Sequence, residues 1–222
     1  MVLLRGFVLV ILLQFVIGQV AHSKGSDNPF YIRPQLPKQA LKLSIFEQKT
    51  DYSCGAAALL SVLRYWKVYF GSEKALYPIL GTTPKDGTNP GGLVRGAQHF
   101  GLQAEFKTEL RLSDLELAIA EGQTVILDLQ AWPDNYDQPW IDRWEDGHYV
   151  VLMALDETYL YAMDPSTGGA YTYLSKAEFL ERWHDYEIEN GKRVQYFHEG
   201  IFIHGDKQPE SELDTQKILR LR

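Results

Sequence analysis

With one cysteine, Cys54, in 222 residues, the chain can form no disulfide within itself. It also has no thiol near its N-terminus on which a lipid anchor could be built. An unpaired cysteine in a chain sent to an oxidising compartment is either an inert buried residue or a working thiol, and composition alone favours the inert reading. Basic residues are in short supply as well: 22 Lys and Arg against 29 Asp and Glu give a net charge of -7. They are scattered along the chain, so no electrostatic footprint for nucleic acid exists. No P-loop or dinucleotide-type glycine loop occurs, nor a Ca2+ loop with its glycine and glutamate spacing. His99, His198 and His204 share no metal-ligand spacing with Cys54 or with one another, which disfavours zinc. Neither cofactor nor metal is expected.

The apolar run over residues 7–17, broken only by Gln14, is shorter than the ~20 residues a bilayer requires. With Arg5 before it and the small residues Gly18 and Ala21 after it, this run reads as an export signal. Cleavage after Gly18, with Val16 upstream, fits the small-residue rule best; cleavage after Ser23 is the second option and an uncleaved anchor the minority reading. The expected organisation is a signal peptide over 1–23, an extended linker over 24–40 containing Gly25, Pro29, Pro34 and Pro37, one domain over 41–204, and a polar tail over 205–222. For the tail, a short helix and disorder both stay open. The mature protein is expected in the periplasm or outside the cell, without a membrane span, and as a monomer by default.

Periodicity changes midway along the chain. Helices are expected over 53–66, where Ala57, Leu60 and Leu63 recur at helical spacing, and over 72–80 and 91–101. Ser113 to Glu116 reads as a capping box opening a fourth helix closed by Gly122, and Ser175 to Glu178 as another opening a helix to Trp183. Strands are expected over 125–129, 148–155, 159–163, 170–173 and 200–203, with Asp156-Glu157-Thr158 turning the second into the third. Helices followed by a mostly antiparallel sheet make an α+β fold.

The chemistry concentrates in three places: Gln48 to Ala58 around Cys54, Asp146-Gly147-His148-Tyr149-Val150-Val151, and Met163-Asp164-Pro165. A helix starting near Ser53 aims its unpaired amides and positive dipole end at the Cys54 sulfur, which favours the thiolate. His148 can pair with that thiolate as an imidazolium, the usual activation of such a nucleophile. Strands ending at His148 and Asp164 lie side by side in a hairpin, ~5 Å apart. Asp164 is then placed to orient the ring and choose its tautomer. Gln48, six residues before Cys54, can donate its amide to an oxyanion together with the Cys54 backbone N–H. Gly55, lacking a Cβ, leaves room for a substrate backbone beside the sulfur.

These residues resemble the double-glycine leader peptidases that process bacteriocins, within the papain-like cysteine peptidases, over roughly residues 45–203. The resemblance implies a papain-like fold, with Cys54 as nucleophile, His148 as base and acid, Asp164 as orienting acid and Gln48 in the oxyanion hole. It implies a peptide or protein substrate and a preferred bond after small residues such as Gly-Gly. Family transporters fuse this domain to membrane and ATP-hydrolysing domains; this chain carries neither and looks like a stand-alone exported branch.

Three of the five tryptophans, Trp132, Trp140 and Trp144, share one long loop with Tyr136. Loops of that length are seldom plain connectors, so the three rings are read as a flap over the substrate cleft; a locally packed extension is the equal alternative. Gly147 is grouped with them and with Gly55 as substrate-contacting. Asp134, Asp137, Asp142, Glu145 and Asp146 in this loop read as a solvated acidic stretch before a cation site or a lure for basic peptides. His184-Asp185 is read as the end of a helix, since neighbours are poorly placed to serve as base and orienter. The leading expectation is an exported cysteine peptidase. A non-cleaving peptide-binding module on the same scaffold, or an acyl or peptidyl transferase using the same residues, are the alternatives.

Overall fold

The architecture is organised by one strand that is apolar on both faces. The computed structural model describes residues 34–133, 137–206 and 218–222. The expected signal peptide, most of the linker, Asp134, Tyr136 and residues 207–217 lie outside the described residues. Strand β3 (Gly147–Leu155) is buried from His148 to Ala154. A strand with both faces covered must be central, and β3 lies between β2 (Thr124–Gln130) and β4 (Tyr159–Met163). The seven-stranded sheet continues outward through β8 (Gly200–His204) to β1 (Gln103–Lys107) on one side, and through β5 (Tyr171–Ser175) to β9 (Ile218–Arg220) on the other. All neighbours are antiparallel except β5 and β9.

Alternation along these strands divides the core in two. Ile126, Val151, Met153, Ile201 and Ile203 meet helix α1 (Cys54–Tyr65) through Leu59, Leu63 and the following Trp66, while Leu93 and Ala97 of α3 (Pro90–His99) join the same layer. Leu127, Leu129, Val150 and Leu152 form the other layer with Leu115 of α4 (Leu112–Ala120) and Phe179 of α5 (Lys176–Arg182), capped by Trp183. The sheet is thus covered on both faces. Residues 77–80 form the one-turn helix α2 (Tyr77–Leu80) behind a 3-10 turn, where one continuous helix over 72–80 is expected from sequence. Pro78 in the first turn of α2 has no N–H to continue the upstream ladder.

The expected strands appear, and so does the β3–β4 hairpin. Asp156 holds its turn, accepting from the N–H groups of Thr158 at 2.8 Å and Tyr159 at 2.7 Å. Other elements depart from expectation. Helix α4 is capped by Arg111, not Ser113, because Asp114 Oδ2 accepts the Arg111 N–H at 2.7 Å and starts the helix earlier. His184-Asp185 does not end a helix: α5 stops at Arg182, and His184 opens β6 (His184–Glu189), which pairs with β7 (Lys192–Phe197) as a separate ribbon. The C-terminal segment, expected to be helical or disordered, contributes β9, whose Leu219 pairs with Thr172. Among the described residues no helix is long and apolar enough to cross a membrane.

Before α1 the chain runs as a strap over the sheet: the Leu41 N–H donates to the Met153 carbonyl, and the Tyr171 hydroxyl donates to the Leu43 carbonyl at 2.6 Å. Under α1, α3 approaches the end of α2 so closely that a Cβ on Gly92 would overlap the Leu80 carbonyl oxygen. Backbone cannot swing aside as a side chain does. Gly92→Ala is therefore expected to destabilise the fold by about 1–3 kcal/mol, read as a lower urea midpoint at unchanged m-value; an unshifted midpoint would contradict this contact.

Candidate active site

Cys54 is the first residue of α1, directly after Ser53, and its side chain is partly exposed while Ala56, Ala57 and Ala58 behind it are fully buried. The small side chains seat the N-terminal end of the helix against the sheet. Ser53 fixes the approach to the helix: its hydroxyl donates to the Thr50 carbonyl at 3.2 Å and accepts from the Thr50 N–H at 3.1 Å. Its carbonyl begins the helical ladder by accepting from Ala57.

His148 stands near the start of β3 and Asp164 just beyond the end of β4. The hairpin aligns them, and His148 Nε2 meets Asp164 Oδ1 at 2.8 Å with both side chains almost fully buried. Asp164 Oδ1 also accepts from the Ser166 N–H and hydroxyl, each at 2.8 Å. Ser166 went unnoticed in the sequence, although Asp164-Pro165-Ser166 has the Asp-x-Ser form of a side-chain turn. With Nε2 taken by Asp164, Nδ1 is the ring nitrogen left for Cys54, and it is buried without a conventional hydrogen-bond partner.

The charges support one another. Burial pushes the His148 imidazole down, but the Asp164 carboxylate and the Cys54 sulfur outweigh it and raise the ring to about 9. Burial pushes the Cys54 thiol up; the His148 ring, with the N–H groups of Tyr149 and Gly55, overcomes this and leaves it below the ordinary thiol range. Burial likewise pushes Asp164 up, and His148 with the Ser166 donors brings it below the ordinary carboxylate range. A thiolate facing an imidazolium is the favoured state near neutrality.

Gln48 is brought to the same end of the molecule. Its N–H donates to the carbonyl of Pro165, next to Asp164, at 2.9 Å. Its side-chain Nε2 donates to the Thr50 carbonyl at 2.8 Å, which leaves the second hydrogen of that amide for another acceptor. Trp132, its backbone at φ 43°, lays its ring against the His148 imidazole at 4.5 Å between centroids. Trp140 and Trp144 make their contacts elsewhere: Trp140 beneath the Arg182 guanidinium at 3.8 Å, Trp144 against His184 at 4.4 Å and Phe197 at 5.3 Å. Gly55 packs tightly, since a Cβ there would stand 2.9 Å from the Thr88 Cβ and 3.1 Å from the Tyr149 ring. At Gly147 a Cβ would collide with the Asp185 carboxylate.

The pairing makes a pH-dependent forecast. Iodoacetamide alkylation of Cys54 should rise through a midpoint below the ~8.5 of a free thiol. His148→Ala removes the compensating cation while burial remains, so the midpoint should move upward; an unmoved midpoint would detach His148 from the thiol.

Known proteins resemble the chain in sequence and in fold. Over 151 residues the chain is 28% identical to the pediocin PA-1 transport/processing ATP-binding protein PedD of Pediococcus acidilactici, a match covering 67% of this chain and 18% of PedD. It is 26% identical over 148 residues to the probable functional amyloid protease FapD of Pseudomonas fluorescens, covering 63% of this chain and 57% of FapD. The chain thus spans less than a fifth of the first relative and just over half of the second. Among solved structures, the peptidase domain of Streptococcus ComA superposes with a TM-score of 0.53 at 20% identity, covering 73% of this chain and 97% of that domain. A double glycine motif protease from an AMS/PCAT transporter, solved with the leader peptide, superposes with a TM-score of 0.51 at 20% identity, covering 76% and 96%. These structures share the α+β, papain-like fold, in keeping with the expectation from sequence. The chain belongs to the peptidase C39 family, whose model it matches over residues 42–194.

Proposed function

We propose that the protein is a cysteine peptidase that cleaves peptides through Cys54, His148 and Asp164. The observation that carries this reading is the buried 2.8 Å His148–Asp164 pair beside a thiol at a helix N-terminus, which its surroundings hold below the ordinary range. The Cys54 thiolate attacks the scissile carbonyl carbon, forming the C–S bond as the carbonyl electrons move onto oxygen. That oxyanion is met by the Cys54 backbone N–H, which has no helical partner at this position, and by the free hydrogen of Gln48 Nε2. His148 passes its proton to the departing amine as the C–N bond breaks, leaving a thioester. Water then attacks the thioester with His148 taking its proton, and the carboxylic acid and the thiolate separate. Asp164 keeps the ring in the tautomer and orientation both steps use.

Family membership and likeness to a double glycine motif protease support a substrate cut after small residues, a leader or secreted peptide with Gly-Gly before the bond. The signal-like composition of the first 23 residues supports export to the periplasm or beyond, so N-terminal sequencing of the exported protein should begin after Gly18 or Ser23.

A peptide library read by mass spectrometry should give cleavage after Gly-Gly, and a peptide aldehyde should label Cys54. Cys54→Ala should abolish turnover; turnover that survives in it would sink the reading. Gln48→Ala should lower kcat about 100- to 1,000-fold with KM little changed, as for loss of one oxyanion donor; a change confined to KM would assign Gln48 to substrate binding instead.

A further inference from the structure

Gln48 meets the oxyanion in the peptidase reading, yet its side chain leaves a stretch of chain that belongs to neither helix nor strand. Part of what holds that stretch lies 24 residues further on. Glu73 opens the 3-10 turn (Glu73–Leu76) ahead of α2 and is 4% exposed. An acid taken out of water needs donors. Its Oε1 accepts from the Lys49 N–H at 3.2 Å and from the Tyr77 hydroxyl at 2.8 Å. Its Oε2 is sealed from solvent without a hydrogen bond, and among the described residues no Lys, Arg or His forms an ion pair with it. A buried acid without a cation adds little to a fold, and packing alone would be met by an apolar side chain. What sets Glu73 apart is the group that its Oε1 holds.

Lys49 follows Gln48 directly, so the two peptide N–H groups that flank the Gln48 Cα are both fixed: one donates to the Pro165 carbonyl at 2.9 Å, the other to Glu73. The Gln48 side chain therefore leaves from a held backbone. Tyr77 reinforces the same segment, with its ring 6.1 Å from the Tyr52 ring between centroids and its hydroxyl facing the Thr50 and Ser53 side chains. The turn that bears Glu73 is itself anchored. Leu76 within it and Leu80 at the end of α2 are fully buried in the layer shared with α1 and α3.

We propose that Glu73 is a positioning residue for the oxyanion donor: by holding the Lys49 N–H it sets where the Gln48 side-chain amide stands relative to Cys54, and Tyr77 keeps the Glu73 carboxyl in place. The proposal rests on the peptidase reading above. A donor of this kind acts only where it reaches the position the oxyanion takes, and a misplacement of about 1 Å can cost about 100-fold in rate. Without Glu73 the Lys49 peptide is free to rotate and carries Gln48 with it. The thiol keeps its own support, since the His148 ring and the N–H groups of Tyr149 and Gly55 act on it from β3 and α1. Glu73 thus governs the oxyanion and leaves the nucleophile alone.

The test separates these two. Peptide turnover and reversible addition of a peptide aldehyde both load charge onto the former carbonyl oxygen, whereas alkylation by iodoacetamide reads the thiolate alone. Glu73→Ala should lower kcat about 10- to 100-fold with KM little changed, and weaken aldehyde binding by a similar factor, at an unmoved pH midpoint of Cys54 alkylation. Added to Gln48→Ala it should cost no more than about threefold further, since the donor it positions is already gone. Glu73→Gln, whose amide oxygen can replace Oε1, should bring kcat back to within about threefold of the unsubstituted protein. Tyr77→Phe should lower kcat about 3- to 10-fold with the same lack of additivity, and keeps the test in force where Glu73→Ala does not fold. Full additivity with Gln48→Ala, a shifted alkylation midpoint, a Gln variant as impaired as the Ala variant, or kcat unchanged in every folded variant overturns the positioning role and leaves the peptidase reading intact. If no peptide is cleaved, the peptidase reading fails, and the aldehyde decides the role of Glu73. Weaker binding common to Glu73→Ala and Gln48→Ala supports it; binding untouched by Glu73→Ala, or no binding to the unsubstituted protein, overturns it.

Discussion

The buried pair between His148 and Asp164 is the interaction on which the rest of the site depends. An imidazolium and a carboxylate removed from water are costly unless each finds its partner at good geometry. Here the geometry is set by several elements together. The β3–β4 hairpin brings the two residues side by side, Ser166 adds two donors to the same carboxylate oxygen, and the Trp132 ring covers the imidazole. Once the pair holds its charge, the sulfur at the start of α1 gains a cation next to it, and the cost of burying a thiolate is met within the site. The Gln48 N–H bond to Pro165 ties the remaining candidate group to the same turn.

The surroundings of this pair pull in the opposite direction. Asp128, Asp185, Glu187 and Glu199 collect on the flank of the nucleophile, where full ionisation would oppose a thiolate. Burial raises the proton affinity of these groups, which lessens the conflict to the extent that each is protonated, since a protonated carboxyl adds no negative charge. Gly147 and Gly55 permit this crowding, one admitting Asp185 and the other admitting Thr88 and Tyr149.

Much of the fold was legible because its signals are local. The apolar runs in β2, β3 and β4 and the Ser175 cap each state their conformation within a few residues, and each appears where expected. What escaped was stabilised from a distance. β1, with its half-exposed Gln103-Ala104-Glu105-Phe106-Lys107, has no apolar pattern of its own and is held by pairing with β8. β6 and β7 are rich in charge and support each other as a ribbon, which is why His184-Asp185 looked like a helix end. β9 is three residues long and exists through Tyr171, Thr172 and Tyr173 of β5.

The site divides along the same line. Sequence by itself determined the chemical inventory: one thiol, a helix start beneath it, a histidine and an aspartate on consecutive strands, and a glutamine six residues before the thiol. Those assignments rest on residue type and short spacing, which folding does not alter. Only the tertiary structure decided that Trp132, and neither Trp140 nor Trp144, meets His148, and that Ser166 steadies Asp164. It alone gathered Asp128, Asp185, Glu187 and Glu199 from β2, β6 and the approach to β8. Their proximity arises from strand order, which depends on free energy shared across the whole sheet and leaves no mark in any short stretch of sequence.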